Sequence, residues 1–582
     1  MESIEMSVTD KVFQQFGVRL LHMACWTRTY PTCKFVEKTD SNYHPSPDWV
    51  TVRACRLVST EWNNLISAVF RAEGKPQLIF DVIRYPPAEK AQMQAEFAFE
   101  VLSKATNGLL TDYRKSPNDF PPVKLALPIS VFYMNMTGRF INLWEGLVRF
   151  LVEIDFDLPA DASINLSGFL QPMENLKKVK FGSTGQKIEI GRNGGYSRLL
   201  REYRNHPKII QSFLSAAKNV TSFTLHHSYR LDRIPSLLNI VLPAKVEFLD
   251  VPLVNNDSVA GQRSVETGCD SLKHLIIRSP TPPKTYKGKT PTHIFSLMKR
   301  HAPSLEVLEL AAYANDTGDL EMSRYAKLEA KNRFRIGIKE RMPNLHTLKV
   351  QGACWEIFQM ESYQRNLPAL KNLKLIPVFR PNQIEPLYKS KSETVESLML
   401  CCLEGIPIEM IRGFSMNFPT LKKLCVVVMK FDASLKVCFR EFRALKVLHV
   451  LCGPDDARYR GWLSEAISGV PAEEQNALTG EQITLSDVME RHGKSPSLRN
   501  LKDLEEFKLL VKDQSAMKQR TDVSVMVRTT FFQMPKLKRV ILSVDTLQIS
   551  EYQNQYIRKE NVYGLKIEWH YSHRFEEYHE LF

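Results

Sequence analysis

The stretch Leu305-Glu-Val-Leu308-Glu-Leu310 decides the fold, because its spacing of apolar residues returns five times further along the chain. The copies are Leu345-His-Thr-Leu348-Lys-Val350, Leu370-Lys-Asn-Leu373-Lys-Leu375, Val395-Glu-Ser-Leu398-Met-Leu400, Leu421-Lys-Lys-Leu424-Cys-Val426 and Leu445-Lys-Val-Leu448-His-Val450. The six first residues are 40, 25, 25, 26 and 24 positions apart. A phrase with a period near 25 predicts a repeat array, in which each unit packs on its neighbours and the array presents a binding surface.

The spacing within the phrase assigns a place to each apolar residue. Apolar residues two positions apart, such as Leu308 and Leu310, point to the same face of a β-strand. The first apolar residue of the phrase lies in the turn that leads into the strand. The rest of the unit returns to the next strand, which a helix does compactly. Residues Phe358 to Asn366 and Glu404 to Asn417 are predicted return helices.

Further copies of the phrase appear when any of Leu, Val, Ile or Phe is accepted at its three apolar positions. They begin at Leu151, Leu176, Val220, Val246, Leu272, Leu504 and Leu537, which makes thirteen phrases between about residues 145 and 545. Proline disfavours helix at the residue before it and ends a return helix. Five phrases have a proline two residues ahead of them: Pro303, Pro343, Pro368, Pro419 and Pro535.

This pattern resembles the leucine-rich-repeat family over about two-thirds of the chain. The resemblance implies an α/β solenoid over residues 76–582, with a parallel β-sheet on its concave face and helices outside. The asparagine or cysteine that the family places eight residues after the first leucine is replaced by Tyr313, Ala353, Val378, Leu403, Met429 and Gly453. Unequal spacing predicts long insertions near residues 182–207, 311–341 and 453–496.

Residues 1–75 do not follow the repeat, and they contain two predicted amphipathic helices. In the second helix, Arg56-Leu-Val-Ser-Thr-Glu-Trp-Asn-Asn-Leu-Ile66 resembles the closing helix of an F-box. The resemblance implies a small all-α F-box-like domain that docks on the Skp-type adaptor of a cullin–RING ubiquitin ligase. The docking residues that it implies are Val12, Phe13, Phe16, Leu57, Val58, Trp62, Leu65 and Ile66. A helical cap that shields the first repeat is the alternative.

Residues that flank the inward-facing pairs point into the concavity of such an array, and they are the candidate partner-binding residues. In these columns Lys and Arg outnumber Asp and Glu by eight to six, and most of the acidic residues fall at the two ends. The sequence predicts a groove for an acidic or phosphorylated protein partner, with a solvated face that binds nothing as the alternative. The candidates are Lys180, Arg278, Lys349, Lys374, Lys423, His449, Lys508 and Arg539.

Composition narrows the class of protein. The chain of 582 residues carries a net charge of +14 and has 43% hydrophobic residues, which is typical of a folded protein. Its apolar runs are too short to cross a bilayer, and its ten cysteines suit buried positions in a reducing compartment. We therefore expect a cytoplasmic or nuclear protein without membrane association. Nucleic-acid binding is the lesser alternative, because no long basic run or nucleic-acid motif accompanies the charge.

No catalytic motif stands out, and no cysteine pair has the spacing of a zinc site. We expect no enzymatic activity, no catalytic residues, no metal and no cofactor. Two functions follow from these observations. The first is a substrate-recognition subunit of an SCF-type cullin–RING ubiquitin ligase, in which the F-box-like helices bind the adaptor and the solenoid binds the target. The second is a leucine-rich-repeat scaffold or recognition protein without a ligase link, which binds an acidic or phosphate-bearing partner.

Overall fold

The computed structural model describes residues 78–81, 123–127, 145, 148, 151–157, 171–182, 206–225, 240–252, 269, 271–279, 292–312, 334–351, 355–376, 382, 384–402, 406–428, 434–452, 462–479, 483–511, 526–544 and 565–570. The chain divides into two compact units, Met1–Leu272 and Lys273–Phe582. The predicted boundary between residues 75 and 76 lies outside the described residues and stays a prediction.

The described residues of the first unit form six parallel strands that are hydrogen-bonded to one another in chain order. They are β1 Leu78–Asp81, β2 Val123–Leu127, β3 Leu151–Asp157, β4 Lys178–Gly182, β5 Ser222–Leu225 and β6 Phe248–Pro252. The helix α1, His206–Ala216, connects β4 to β5. Its Phe213 packs edge-to-face on Phe181, with 5.6 Å between the ring centroids, so the return helix covers the apolar face of the sheet.

The described residues of the second unit form twelve strands. They are β7 His274–Ser279, β8 Val307–Ala312, β9 Phe334–Ile338, β10 Thr347–Gln351, β11 Trp355–Met360, β12 Asn372–Ile376, β13 Ser397–Cys402, β14 Lys423–Val428, β15 Val447–Cys452, β16 Glu506–Val511, β17 Arg539–Val544 and β18 Lys566–His570. β9 and β11 pair with each other, and the other ten form a parallel sheet in chain order. Parallel order with every strand beside its predecessor is the architecture that the repeat predicted.

The helices of this unit lie between strands in the chain. They are α2 Thr292–His301, α3 Tyr363–Asn366, α4 Glu385–Lys389, α5 Ile408–Asn417, α6 Ser434–Glu441, α7 Trp462–Ser468, α8 Ala472–Thr479 and α9 Leu485–His492. Within the described segments, 3-10 turns occur at Leu498–Asn500 and Phe531–Gln533. In the part of the chain that the structure describes, no helix combines the length and apolar character needed to cross a bilayer.

All thirteen phrases of the sequence coincide with strands, as predicted. Both inward positions are buried throughout β8, β10 and β12 to β17, and in β13 Leu398 and Leu400 are 0% exposed. In twelve phrases the first apolar residue precedes the strand by two positions, as Val395 precedes β13. The exception is Leu151, which already belongs to β3. The phrase thus marks a turn followed by a strand with one buried face.

A main-chain hydrogen-bond ladder joins each turn of the second unit to the next. The carbonyl of Glu396 accepts the amides of Lys422 and Lys423, both at 2.9 Å. The carbonyl of Lys422 in turn accepts the amides of Lys446 at 2.8 Å and Val447 at 3.0 Å. Because only main-chain atoms take part, side chains in the turn are free to vary. Neighbouring units are therefore linked although the asparagine positions of the leucine-rich-repeat phrase are filled by other residues.

The predicted return helix from Phe358 to Asn366 is wrong over its first half. Residues Trp355 to Met360 form β11, which pairs in parallel with β9, and only α3 is helical. Alternating burial explains the difference: Trp355 and Ile357 are buried, and the Trp355 indole N–H donates to the carbonyl of Ala311 at 3.1 Å. The second predicted return helix is confirmed, since α5 begins after Pro407 at its N-cap and ends at Asn417.

Candidate functional site

One face of the ten-stranded sheet carries the leucines of the core, and the opposite face carries the candidate binding residues. We call this opposite side of β7, β8, β10 and β12 to β17 the charged face. Strand register sets its side chains in rows, because each residue is the direct partner of one in the next strand. The central row is Ile276, Glu309, Lys349, Lys374, Met399, Cys425, His449, Lys508 and Ile541.

The row nearer the amino ends of the strands consists of His274, Val307, Thr347, Asn372, Ser397, Lys423, Val447, Glu506 and Arg539. The row nearer the carboxyl ends begins with Arg278, Ala311 and the half-buried Gln351. It then becomes apolar and buried, from Ile376 through Cys401, Val427 and Leu451 to Leu510. The three rows together contain six Lys and Arg side chains and two carboxylates, those of Glu309 and Glu506. This face is therefore more basic than the sequence columns as a whole predicted.

The first carboxylate, Glu309, is shared by two basic groups. Its oxygens lie 3.1 Å from His274 Nε2 and 3.5 Å from Lys349 Nζ. Burial opposes ionisation of Glu309, but the hydrogen bond from His274 and the charge of Lys349 outweigh it and lower the pKa of the carboxyl. Burial also lowers the pKa of the Lys349 amine, and the nearby charges of Lys374 and Arg278 lower it further against the attraction of Glu309. The side chain of Lys349 is only 14% exposed.

The second carboxylate, Glu506, forms a similar cluster on β16, six strands from β8 in the sheet. It accepts from His449 Nε2 at 2.9 Å and from Arg539 Nη1 at 3.3 Å. Burial raises the pKa of the Glu506 carboxyl, but the hydrogen bond from His449 and the charges of His449 and Arg539 outweigh this effect. The pKa of Glu506 is therefore lowered. Burial lowers the pKa of His449, which the hydrogen bond to Glu506 opposes and the charges of Lys423 and Lys508 reinforce. Both carboxylates are thus occupied by neighbouring basic groups.

Between the two clusters lie Lys374 and Lys423, two cations without a carboxylate partner. Among the described residues, no carboxylate oxygen comes within 4.0 Å of either amine. Each acts on a neighbouring basic group: the charge of Lys374 lowers the pKa of Lys349, and the charge of Lys423 lowers the pKa of His449. Unbalanced positive charge on a rigid sheet favours binding of an anionic group.

The floor between these lysines is apolar. Met399 is 4% exposed and Cys425 is 5% exposed. Burial raises the pKa of the Cys425 thiol to about 12, although Lys423, Lys374 and Lys508 all favour the thiolate. The thiol is therefore neutral near pH 7 and does not act as a nucleophile or a charge. The three lysines surround a closed, uncharged floor.

The structure places seven of the eight predicted face residues on one sheet of the second unit, and the eighth belongs to the first unit. Arg278, Lys349, Lys374, Lys423, His449, Lys508 and Arg539 all lie on strands of the second unit. Lys180 belongs to β4 in the first unit and pairs with Asp155 at 3.3 Å. The sequence did not predict that Glu309 and Glu506 form ion pairs with basic residues of the charged face. Alignment of the phrases places Glu309 at the position of Lys349, which is the signal that could have found it.

The predicted adaptor-binding residues, from Val12 to Ile66, lie outside the described residues, so their arrangement stays a prediction. Within the described segments, no group of three or more His, Cys, Asp or Glu side chains is placed to hold a metal ion.

Comparison with known proteins gives no family for this chain. No protein-family model and no curated protein sequence matches it. The crystal structure of the Rad7 and Elc1 complex in yeast aligns at 12% identity and a TM-score of 0.24, covering 75% of this chain and 96% of that one. A crystal structure of a TLR13–ssRNA13 complex aligns at 14% identity and a TM-score of 0.26, covering 78% of this chain and 65% of that one. At these TM-scores neither likeness assigns a function.

Proposed function

We propose that the protein is the substrate-recognition subunit of an SCF-type cullin–RING ubiquitin ligase. The observation that carries the recognition half of this proposal is the charged face, on which unpaired Lys374 and Lys423 lie between two ion-pair clusters. A protein target binds this face, and the protein contributes proximity and orientation while the chemistry takes place on other subunits. It has no active site of its own and works in the cytoplasm or nucleus, where we expect its partners.

Rigidity supports a role in presenting a target. The charged side chains stand on parallel strands whose other faces are fully buried, and the turn ladder fixes each strand against the next. Binding groups on such elements are held more accurately than groups on loops. The clusters around Glu309 and Glu506 further restrict their histidine, lysine and arginine side chains. A partner therefore meets a preformed arrangement of charges, and less conformational entropy is lost on binding.

The adaptor half of the proposal rests on the F-box-like sequence around Trp62. Its test is co-expression of the full chain with a Skp-type adaptor, followed by affinity purification and gel filtration. We expect a stable complex with the intact chain and at least about tenfold less adaptor with Trp62→Ala, since large buried aromatic residues dominate interfaces. Trp26→Ala, outside the F-box-like helix, is the matched control and retains the adaptor. Failure of the intact chain to hold any adaptor contradicts the proposal.

The alternative function is a leucine-rich-repeat scaffold or recognition protein with no ligase link. The charged face favours it as much as it favours a substrate receptor, because both bind a partner there. The same purification separates the two functions. Recovery of a target protein through the charged face, with no adaptor bound by the intact chain, supports the scaffold.

A further inference from the structure

We infer that the charged face binds a phosphorylated segment of its protein partner, with one phosphate held between Lys374, Lys423 and the hydroxyl of Ser397. This inference rests on the proposed function in one respect, since it assigns the target to the same face. It deepens that function by naming the chemical group that the face recognises.

Strand register brings the three side chains around one point. Ser397 on β13 is the direct partner of Lys423 on β14, and Met399, two residues further along β13, is the partner of Lys374 on β12. Adjacent strands are about 4.8 Å apart and residues rise about 3.3 Å along a strand, so the Cα atoms of the two lysines are roughly 12 Å apart with β13 between them. A lysine side chain reaches about 6 Å. Both amines therefore reach an anion that sits above Ser397.

The groups around this point are free to bind. Neither lysine has a carboxylate partner, and the Ser397 hydroxyl makes no hydrogen bond in the described part of the chain. By contrast, Lys349 and Arg539 on either side are already paired with Glu309 and Glu506. Two cations and one hydroxyl donor around a single point suit a phosphate monoester, which carries nearly two negative charges and three acceptor oxygens.

A nucleic acid fits the face less well. Glu309 and Glu506 already occupy Lys349 and Arg539 on the two sides of the site, so these cations do not offer free charge to a continuous chain of phosphates. The three rows of the charged face in β7 to β17 contain no Phe, Tyr or Trp on which a base could stack, and their two histidines are held by Glu309 and Glu506. An isolated phosphate on a peptide avoids both difficulties. From β10 to β16 the face is about 24 Å wide, which matches roughly seven residues of extended peptide.

The test is binding of fluorescent peptides to the full chain, measured by anisotropy. Two degenerate peptide libraries are compared, one with a central phosphoserine and one with a central serine. We expect a clear preference for the phosphoserine library, loss of the preference as ionic strength rises, and competition by millimolar inorganic phosphate. A third library with a central glutamate distinguishes phosphate from simple negative charge, and we expect it to bind less tightly than phosphoserine.

Variants locate the site. The double substitution Lys374→Glu and Lys423→Glu is expected to weaken phosphopeptide binding at least roughly tenfold. The matched control is Lys371→Glu with Lys422→Glu, which changes the net charge equally at two exposed lysines of the turns leading into the same strands. The control is expected to bind normally. Lys374→Gln with Lys423→Gln repeats the test without charge reversal, and circular dichroism confirms that each variant is folded.

Three results overturn the inference: equal binding of the phosphoserine and serine libraries, equal weakening by the test and control variants, or tighter binding of a single-stranded RNA oligomer through the same two lysines. If the adaptor complex forms while the phosphoserine preference is absent, the inference fails and the proposed function stands. If the preference is present but no adaptor binds, the phosphate site stands and the ligase role fails.

Discussion

We expect His449 to make the stability of the second unit sensitive to acid. Burial lowers the pKa of this imidazole, so in the folded protein it stays neutral where an unfolded histidine, with a pKa of about 6.5, takes up a proton. As the pH falls below about 6.5, the unfolded state binds more protons and the free energy of unfolding decreases. Glu506 attracts the proton and Lys423 and Lys508 repel it. We expect a lower urea midpoint at pH 5.5 than at pH 7.5, and a smaller loss for His449→Gln.

The control for this prediction is His346→Gln. The His346 side chain is 43% exposed in a turn, whereas that of His449 is 14% exposed on the sheet. The control variant is expected to keep the pH dependence of the parent chain. If the urea midpoint falls equally between pH 7.5 and pH 5.5 in the parent chain and in His449→Gln, groups other than His449 cause the pH dependence. Glu506 affects stability in a different pH range. Because its pKa is lowered in the folded protein, its protonation decreases the free energy of unfolding only as the pH falls below about 4.5.

At the residue scale, the sequence predicted positions better than partners. The phrase places Lys349 and Lys374 at the same position of consecutive units, and the two are direct strand partners in the structure. The sequence could not show that Glu309 holds both His274 and Lys349, because that choice depends on side-chain rotamers and on burial. The paired and unpaired cations look alike in the sequence, and only the structure separates them.

At the scale of elements, the strands that the sequence missed lack the first apolar residue of the phrase. Register aligns Phe80 of β1 with Leu125 of β2, and Leu125 with Ile154 of β3. The residue three positions earlier is Gln77 for β1 and Pro122 for β2, where β3 has Leu151. In β18 the corresponding residue is Gly564. Strand pairing tolerates these replacements because it uses main-chain atoms, whereas a search for the apolar phrase does not.

The segment from α9 to β17 is held together by Arg499. Its guanidinium donates to the carbonyl of His492 at 3.0 Å, to the carbonyl of Thr529 at 3.3 Å and to the hydroxyl of Ser497 at 3.2 Å. Lysine lacks the planar fork that makes these bonds together. We expect Arg499→Lys to lower the free energy of unfolding by about 1–3 kcal/mol, the value of hydrogen bonds to a charged group. Chemical denaturation measures the change, and limited proteolysis is expected to cut within α9 sooner.

Arg491→Lys provides the comparison for Arg499. Arg491 lies in the last turn of α9, next to the His492 whose carbonyl Arg499 binds; its side chain is 56% exposed and has Glu474 at 3.7 Å. Exposed ion pairs contribute little, so this variant is expected to change the free energy of unfolding by less than about 1 kcal/mol. If both variants lose the same stability, the three hydrogen bonds of Arg499 do not hold the segment. Burial lowers the pKa of Arg499. A shorter apolar residue is not a suitable replacement at this position, because the carbonyls of His492 and Thr529 would then lose their hydrogen-bond donor.

At the scale of the whole molecule, the order of the strands determines how a disturbance spreads. In the second unit every strand of the ten-stranded sheet pairs only with its neighbours in chain order. The stability of such an array is approximately a sum of terms for each unit and for each contact between adjacent units. The sequence predicted this one-dimensional order from the period of its phrases. It could not predict β9 and β11, because neither strand carries the phrase and their pairing joins segments on the two sides of the phrase that begins at Leu345.

This order predicts a gradient of local opening when one strand is weakened. Leu398→Ala removes a side chain that is 0% exposed and lies between Leu373 of β12 and Leu424 of β14, which costs about 2–5 kcal/mol. Hydrogen exchange monitored by mass spectrometry should show the largest gain in amide exchange in β12 to β14 and smaller gains in β8 and β17. Met416→Ala, at a side chain that is 78% exposed on α5, is the control and leaves exchange unchanged. A uniform gain across all ten strands would mean that the unit opens as a single cooperative body, and the nearest-neighbour description would then be wrong.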